Sequence, residues 1–242
     1  MWLLPGKEGG SMKDIAIFGV GGFGREVLAL IKDINKVTPT WNIVGFFDDG
    51  YEKGVMVNGY PNLGKTDDLN QWDKPLSLAI SIGSPVIKKK ILNKIYNPQI
   101  EYPTLIHPSV WIGEKEFVEI GKGCIICAGV MITTNVQIKD FVILNLQCTV
   151  GHDTVINEYA SFMPSVNISG EVNIGEGVYV GTGAKIINQQ EIGEYTIVGA
   201  GAVVTKTLPE HCTVVGVPAK PIKCSIEIVD NQNNKTFLEK KK

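Results

Sequence analysis

An aliphatic or aromatic residue recurs at every sixth position through about a third of this 242-residue chain. The series runs without a miss over fifteen positions: Ile120, Ile126, Ile132, Ile138, Leu144, Val150, Ile156, Phe162, Ile168, Ile174, Val180, Ile186, Ile192, Val198 and Val204. Small or β-branched side chains stand two residues before most of them, as at Val118, Cys124 and Ala160. A period of six with two inward positions is typical of a short strand and a turn repeated along a solenoid, with three units closing one triangular coil. The sequence therefore predicts five stacked coils, about 24 Å long at about 4.8 Å per coil.

The same register extends backwards to Ile112 and Ile106 after a two-residue slip near 116–117. It also accounts for the C-x-x-C pair, because Cys124 occupies a small inward position and Cys127 follows an aliphatic one. A single such pair is weak evidence for zinc or redox chemistry, so we interpret both cysteines as structural. Five cysteines, odd in number and unevenly spread, predict no disulfide framework.

Before the repeat, short apolar runs alternate with helical patterns, which predicts a small α/β domain with a parallel sheet. Strands are expected at 14–20, 43–47 and 76–82, and helices at 25–34 and around 88–94. We therefore expect a Rossmann-like α/β domain over 12–103 and a β-helix domain with a C-terminal cap over 104–224. Residues 1–11 are interpreted as a leader or tag, and 225–242 as a polar tail that is frayed from Asp230 onward.

A glycine-rich turn, Gly19-Val20-Gly21-Gly22-Phe23-Gly24, connects the first predicted strand to the first helix. Such a turn directs backbone N–H groups and the positive end of a helix at a phosphate. Asp48, after the second strand, is placed to hold a ribose hydroxyl, which would ordinarily suggest NAD. The domain is too short for a two-halved dinucleotide sheet, however, and a prism follows it instead of an oxidoreductase domain.

Charge and hydropathy exclude two classes of partner. The 23 Lys and Arg residues nearly balance the 25 Asp and Glu residues, so no global basic field suggests a nucleic acid. No apolar run approaches the roughly 18 residues that a membrane span needs, and the opening segment is too short for a signal peptide. A cytoplasmic protein without a membrane span is expected.

Of the three histidines, His152 is the candidate for catalysis. It follows inward-facing Val150 by two positions, which places it near a corner of the prism, where an imidazole can act as a base. Asp153 beside it favours the protonated imidazole. A zinc site would need several histidines converging across coils, and His107 and His211 are too far away along the prism. No metal is expected.

The hexapeptide prism behind a glycine-rich α/β domain, closed by Gly216-Val217-Pro218-Ala219-Lys220, resembles the left-handed β-helix sugar acetyltransferases. Within them it looks like the branch that contains UDP-N-acetylbacillosamine N-acetyltransferase and the sialic-acid O-acetyltransferases. The resemblance covers 12–223. It alone implies the left hand of the helix, since the usual crossover rule predicts the opposite hand, and it alone implies a homotrimer.

The resemblance also implies the roles of individual residues. The catalytic histidine falls on His152, its acidic neighbour on Asp153, and a substrate-contacting asparagine on Asn145. The nucleotide of a nucleotide-sugar is expected to contact Gly21, Gly22, Phe23, Asp48, Asp49 and Gly83. Acetyl-CoA is expected in a groove between neighbouring prisms, at Ser161, Gly170, Thr182 and Ala200.

The expected reaction is acetyl transfer from acetyl-CoA to the amine of a nucleotide-linked amino sugar of the UDP-4-amino-sugar type. His152 would remove the proton and a backbone N–H would stabilise the oxyanion. O-acetylation of sialic acid or a related sugar hydroxyl is the alternative within the class, because the same base would serve. A nucleotide-binding scaffold with an inactive prism is the alternative outside it.

Overall fold

A computed structural model describes residues 12–229 and 235–240 of the chain, so the predicted leader at 1–11 lies outside the described residues. The first part forms β1 (Lys13–Phe18), α1 (Gly22–Val37), β2 (Trp41–Phe47), β3 (Met56–Val57), β4 (Tyr60–Pro61), α2 (Thr66–Asn70), β5 (Leu76–Ile80), α3 (Pro85–Leu92) and β6 (Ile100–Glu101). Its sheet is parallel with the strand order β2-β1-β5-β6, and β3 and β4 form a separate two-stranded pair. The predicted parallel α/β domain is confirmed.

The apolar pattern explains how α1 packs on this sheet. Val27, Leu28 and Ile31 recur at helical spacing and are buried against Ile15 and Ile17 of β1. Strand β1 is apolar on both of its faces, which is typical of a parallel sheet that is covered on both sides. Here helices or the prism cover the two sides.

Short strands of mostly two residues make up the second part. In chain order they are β7 (Leu105–Ile106), β8 (Trp111–Ile112), β9 (Val118–Ile120), β10 (Ile125–Ile126), β11 (Met131–Ile132), β12 (Val136–Ile138), β13 (Ile143–Leu144), β14 (Thr149–Val150), β15 (Val155–Ile156), β16 (Ser161–Phe162), β17 (Asn167–Ile168), β18 (Asn173–Ile174), β19 (Tyr179–Val180), β20 (Lys185–Ile186), β21 (Glu191–Ile192), β22 (Ile197–Val198), β23 (Val203–Val204), β24 (Cys212–Val215), β25 (Lys220–Val229) and β26 (Lys235–Lys240).

Every third strand stacks into one of three parallel sheets, the faces of a prism. We name them the first face (β7, β10, β13, β16, β19, β22, β24), the second face (β8, β11, β14, β17, β20, β23) and the third face (β9, β12, β15, β18, β21). The first corner is the column of turns between the first and second faces, and the second corner is the column between the second and third faces. Partners within a face are eighteen residues apart, as for Ile125 and Ile143.

The predicted register is confirmed. All fifteen positions of the series are buried except Ile120, which is partly buried against the same core, and the small residues two positions earlier are buried as well. The slip is accommodated by a 3₁₀ turn at Lys115–Phe117, so that β8 pairs with β11 at a spacing of twenty residues. Because Ile106 and Ile112 add a coil to the five predicted, the solenoid has about six turns.

The α/β domain lies against the start of the first face. Leu105, Ile125, Cys127 and Ile143 share one apolar cluster with β1 and α1. The outward side of this face is therefore apolar at its beginning, where the other domain covers it.

Two expectations about the C-terminal end are wrong. Cys212 and Cys224 form a disulfide, because antiparallel pairing of β24 with β25 places them directly opposite each other, with their Cα atoms 4.1 Å apart. The end expected to fray contains β26, which pairs antiparallel with β25 over Lys235–Lys240, while 230–234 and 241–242 lie outside the described residues.

Across the ranges that the structure describes, none of the helices has the length and apolarity to cross a bilayer.

Candidate active site

The predicted catalytic and CoA-binding residues fall mainly on two corners of the prism. Asn145, Thr182 and Ala200 lie in first-corner turns, after β13, β19 and β22 respectively. His152, Asp153 and Gly170 lie on the second corner, in the turns after β14 and β17. The second face separates the two groups by roughly 15 Å within one protomer, given about 3.3 Å per residue of strand.

His152 is hydrogen-bonded to its neighbour, and more than half of its side chain is open to solvent. Its Nδ1 lies 2.7 Å from Oδ2 of Asp153, and its side chain is 55% exposed. Hydrogen bonds from His152 and from Asn135 hold the pKa of the Asp153 carboxyl below its usual value. An ionised carboxylate only accepts hydrogen bonds, so the bond to Asp153 requires a proton on Nδ1 of His152.

Gly170 lies directly beneath the His152 ring, one coil further along the second corner. A Cβ at this position would lie 2.5 Å from both Cε1 and Nε2 of the imidazole. Any side chain at residue 170 would therefore take the place that the ring now occupies. The absence of a side chain is what lets the imidazole lie flat against the prism.

The first corner is shaped by tightly stacked turns. A Cβ on Gly181 would lie 2.5 Å from the backbone N of Ala200, so residue 181 has no room for a side chain beside the next turn. Thr182 and Ala200 are exposed there. Asn145 is largely buried, and its carboxamide oxygen accepts a 2.7 Å hydrogen bond from the Leu146 N–H.

Ser161 does not lie with the other predicted CoA-binding residues. It belongs to β16 on the first face, is fully buried, and its Oγ accepts a 3.0 Å hydrogen bond from Nζ of Lys88 on α3. The Lys88 ammonium also donates to the Phe141 carbonyl at 2.7 Å, and burial lowers the pKa of Lys88 to about 7. The Ser161 side chain is thus part of the contact between the domains and is not accessible to CoA within one protomer.

The glycines of the predicted phosphate-binding turn divide into two kinds. Gly19 has a φ of +109°, and a Cβ on Gly24 would collide with the Gly19 carbonyl, so both are required by the turn itself. A Cβ on Gly21 would meet nothing within 4 Å, and one on Gly22 only the tip of the Arg25 side chain. Packing around the turn therefore does not require glycine at 21 or 22, and both residues leave the backbone exposed.

The N-terminus of α1 is open at this turn. Gly21 is its N-cap, and no side chain caps the helix there. The first N–H groups of a 16-residue helix, together with its dipole, form a ready anion site. Phe23 next to them is half-buried against the apolar cluster under α1.

The predicted acidic contacts have partners within the protein. Asp48 accepts from the Val20 N–H at 2.9 Å and from the Gly50 N–H at 2.8 Å, so it fixes the shape of the glycine-rich turn. Asp49 accepts from both the N–H and the hydroxyl of Thr66 at the start of α2. Gly83 follows β5 and approaches the prism, because a Cβ there would lie 3.8 Å from Cε of Met163.

Two residues near these sites were not singled out from the sequence. Asn135 bonds to Asp153, and it was detectable because it stands eighteen residues earlier in the same column. Lys88 carries no such signal, since a lysine on a short basic helix is usually exposed.

Among the described residues, no three His, Cys, Asp or Glu side chains are grouped closely enough to hold a metal ion.

The parallel solenoid of about six turns, together with the N-terminal parallel sheet and helices, is the fold of the left-handed β-helix acetyltransferases. The family model for the PglD N-terminal domain matches residues 14–95. GDP-perosamine N-acetyltransferase of Escherichia coli O157:H7 is 32% identical over 215 residues, which cover 86% of this chain and 96% of that protein. This chain belongs to the same family, the acetyl-CoA-dependent sugar N-acetyltransferases.

Two solved structures share the whole architecture. The acetyltransferase domain of PglB from Neisseria gonorrhoeae FA1090 has a TM-score of 0.78 at 31% identity, over 86% of this chain and 99% of that one. PerB from Caulobacter crescentus, in complex with CoA and GDP-perosamine, has a TM-score of 0.79 at 29% identity, over 87% and 98%. The expected combination of a Rossmann-like domain with a left-handed β-helix is confirmed.

Proposed function

We propose that this enzyme transfers an acetyl group from acetyl-CoA to the amine of a nucleotide-linked amino sugar, with His152 as the general base. The arrangement of His152 is the observation that carries the proposal. Its ring rests on Gly170, Asp153 holds the proton on Nδ1, and 55% of the side chain is exposed. A base of this kind needs a fixed tautomer and an accessible imidazole; the bond to Asp153 supplies the first and the exposure of the side chain the second.

In the proposed reaction, Nε2 of His152 accepts a proton from the sugar amine as the amine nitrogen attacks the thioester carbonyl. Asp153 stabilises the imidazolium that forms, because its ionised carboxylate already accepts from Nδ1. A backbone N–H stabilises the oxyanion, and the proton on Nε2 then passes to the departing thiolate of CoA. No covalent enzyme intermediate is required.

The nucleotide-sugar would bind with its phosphates at the open N-terminus of α1. Gly21 and Gly22 leave the backbone accessible there, while Asp48 holds the turn in shape by accepting from Val20. Acetyl-CoA would lie along the first corner, where Thr182 and Ala200 are exposed beside closely stacked turns. Ser161 is left out of this site, because its side chain is buried under Lys88.

A homotrimer would bring the two corners together. The first two strands of the second face expose Trp111 and Met131, whereas the first two strands of the third face present Glu119 and Gln137 at equivalent positions. Further along, the second face carries Asn167 and Lys185. In a three-fold assembly with the second face turned to the axis, the first corner of one protomer meets the second corner of the next. Thr182 and Ala200 would then face His152 of a neighbouring copy.

The nucleotide and the acceptor atom are the finer parts of the proposal. A UDP-linked amino sugar is our choice, although the Escherichia coli and Caulobacter relatives are named for GDP-perosamine. Transfer to a sugar hydroxyl is the alternative, since His152 would activate it in the same way. The cytoplasmic location stays a prediction.

The test is an assay of CoA release with acetyl-CoA and a panel of UDP- and GDP-linked amino sugars, with free sialic acid as the hydroxyl acceptor. His152→Ala should lower the rate by about 10²- to 10⁴-fold with the best acceptor, the usual cost of a lost general base. Asn188→Ala, exposed in the same column two coils away, is the matched control and should leave the rate unchanged. A His152→Ala enzyme that keeps more than about a tenth of the rate would rule out this base.

A further inference from the structure

Asn135 is the next residue outward from the His152–Asp153 pair. It lies in the turn before β12, one coil before Asp153 on the second corner, and its Nδ2 is 3.0 Å from Oδ1 of Asp153. Oδ2 of the same carboxylate lies 2.7 Å from Nδ1 of His152. The three side chains therefore form a chain of two hydrogen bonds that runs along the corner towards the imidazole.

We propose that Asn135 is a positioning residue, which orients the Asp153 carboxylate and through it the tautomer and ring plane of His152. This inference rests on the proposed function, because it assigns to His152 the role of base. Asn135 would act through Asp153, the side chain to which its amide is hydrogen-bonded.

The direction of each hydrogen bond follows from the chemistry of Asp153. A carboxylate whose pKa is lowered by these neighbours is ionised near neutral pH and can only accept. The Asn135 amide must therefore turn its NH₂ group to Oδ1, and His152 must present Nδ1–H to Oδ2. Each oxygen is thus committed to one donor, which prevents the exposed carboxylate from rotating away from the imidazole.

Asp153 needs this support because it is exposed and only one bond holds it to His152. A solvated carboxylate without a second partner samples several side-chain orientations, and most of them release Nδ1. The neutral histidine then distributes between its two tautomers, and the one with its proton on Nε2 cannot accept a proton from the amine. Loss of Asn135 should consequently reduce the competent fraction of enzyme and leave substrate binding unchanged.

The chain contains an internal control for this contact. Further along the same corner, Nε2 of Gln189 donates to Oε2 of Glu171 at 3.1 Å, also across one coil. Asn135 and Gln189 both have left-handed backbones, with φ of +54° and +60°. The two amides thus make equivalent contacts, but only Asn135 bonds to the carboxylate that holds His152.

The experiment compares Asn135→Gly with Gln189→Gly, because glycine removes the amide and tolerates a left-handed backbone. We expect kcat of Asn135→Gly to fall about tenfold with KM for both substrates unchanged, near the low end of what an orienting partner of a functional histidine contributes. Asn135→Asp, which keeps the shape but cannot donate when ionised, should lose at least as much. Gln189→Gly should match the wild type.

A second readout reports on the imidazole itself. The chain has three histidines, so ¹⁵N-labelled histidine gives three ring systems that single variants assign. The His152 signals should show Nδ1–H in the wild type and in Gln189→Gly, and a tautomer mixture in Asn135→Gly. A role confined to stability would lower the melting temperature without changing these signals.

The outcomes separate the two hypotheses. If His152→Ala is inactive while Asn135→Gly keeps full kcat and the wild-type tautomer, the positioning role is overturned and the base remains. If His152→Ala is active, the proposed function itself fails. Equal loss in Asn135→Gly and Gln189→Gly would also overturn the inference, because it would show an effect of the corner as a whole.

Discussion

At the scale of the residue, the position of the His152 imidazole depends on what is missing at residue 170. The ring lies where a Gly170 side chain would be, with 2.5 Å between the Cβ position and Nε2. Gly170 lacks a left-handed φ, so a side chain there meets no backbone strain. Its effect would therefore fall on the imidazole, which is exposed and free to move outward.

Gly170→Ala should lower kcat by at least about tenfold, because a displaced base no longer reaches the amine at hydrogen-bonding distance. The melting temperature should change little, since the atoms displaced are the end of an exposed side chain. Gly151→Ala is the contrasting variant, because its Cβ would lie 2.5 Å from the backbone N of Gly170 and should destabilise the fold. Wild-type kcat in Gly170→Ala would show that the ring position in the structure is not the active one.

At the scale of the element, α3 connects the two domains through two consecutive lysines. Lys88 is buried and donates to Phe141 and Ser161 of the prism. Lys89 pairs with Glu176 and Tyr195, and these hydrogen bonds raise the pKa of Lys89 above its usual value. Because α3 begins two residues after Gly83, these contacts fix the proposed nucleotide-sugar loop relative to the prism.

Lys88 should make stability depend on pH. Its pKa is about 7 in the folded protein and near 10.5 when exposed, so between these values the unfolded chain binds more protons. The free energy of unfolding should then rise with pH over this window, by at most about 1.4 kcal/mol per pH unit from this one group. Below about pH 7 Lys88 is protonated in both the folded and the unfolded chain, so burial of its charge lowers the stability by a constant amount.

Chemical unfolding of wild type and Lys88→Met from pH 6.5 to 9.5 measures this effect. Relative to the wild type, the variant should be favoured at the acidic end and disfavoured at the basic end, where it lacks only the hydrogen bonds. Lys90→Met, on the exposed side of the same helix, should change stability equally at every pH. A constant difference between wild type and Lys88→Met would mean that Lys88 stays charged when buried.

At the scale of the whole molecule, a single protomer does not bring the proposed site together. Asn145 and Thr182 lie on the first corner, whereas His152 and Asp153 lie on the second, with a full face between them. If the proposed trimer forms, every site takes residues from two copies of the chain. A side chain that is missing from one variant can then be supplied to the site by a subunit of the other variant.

This arrangement predicts complementation between two inactive variants. His152→Ala and Asn145→Ala should each lose activity, and subunits mixed by unfolding and refolding should regain it at about one site in four. Light scattering should give the mass of three chains for every sample. A mixture as inactive as its components, or a fully active monomer, would contradict a shared site.

The sequence alone determined the solenoid, because a six-residue period permits only one way of burying an aliphatic residue in every strand. The same six-residue register places Asp153 and Gly170 at the corner where His152 lies, and it places Asn135 at that corner too. It also determined the α/β alternation and the glycine-rich turn, since both follow from local backbone rules.

Tertiary structure decided what those local rules do not reach. The sequence does not reveal that Lys88 of a distant helix covers Ser161, or that Asp48 accepts a hydrogen bond from the Val20 N–H. Cys212 and Cys224 are partners only because two antiparallel strands place them opposite each other. Periodicity reports which side of its own strand a residue occupies, whereas burial and pairing between distant segments depend on how those segments pack together.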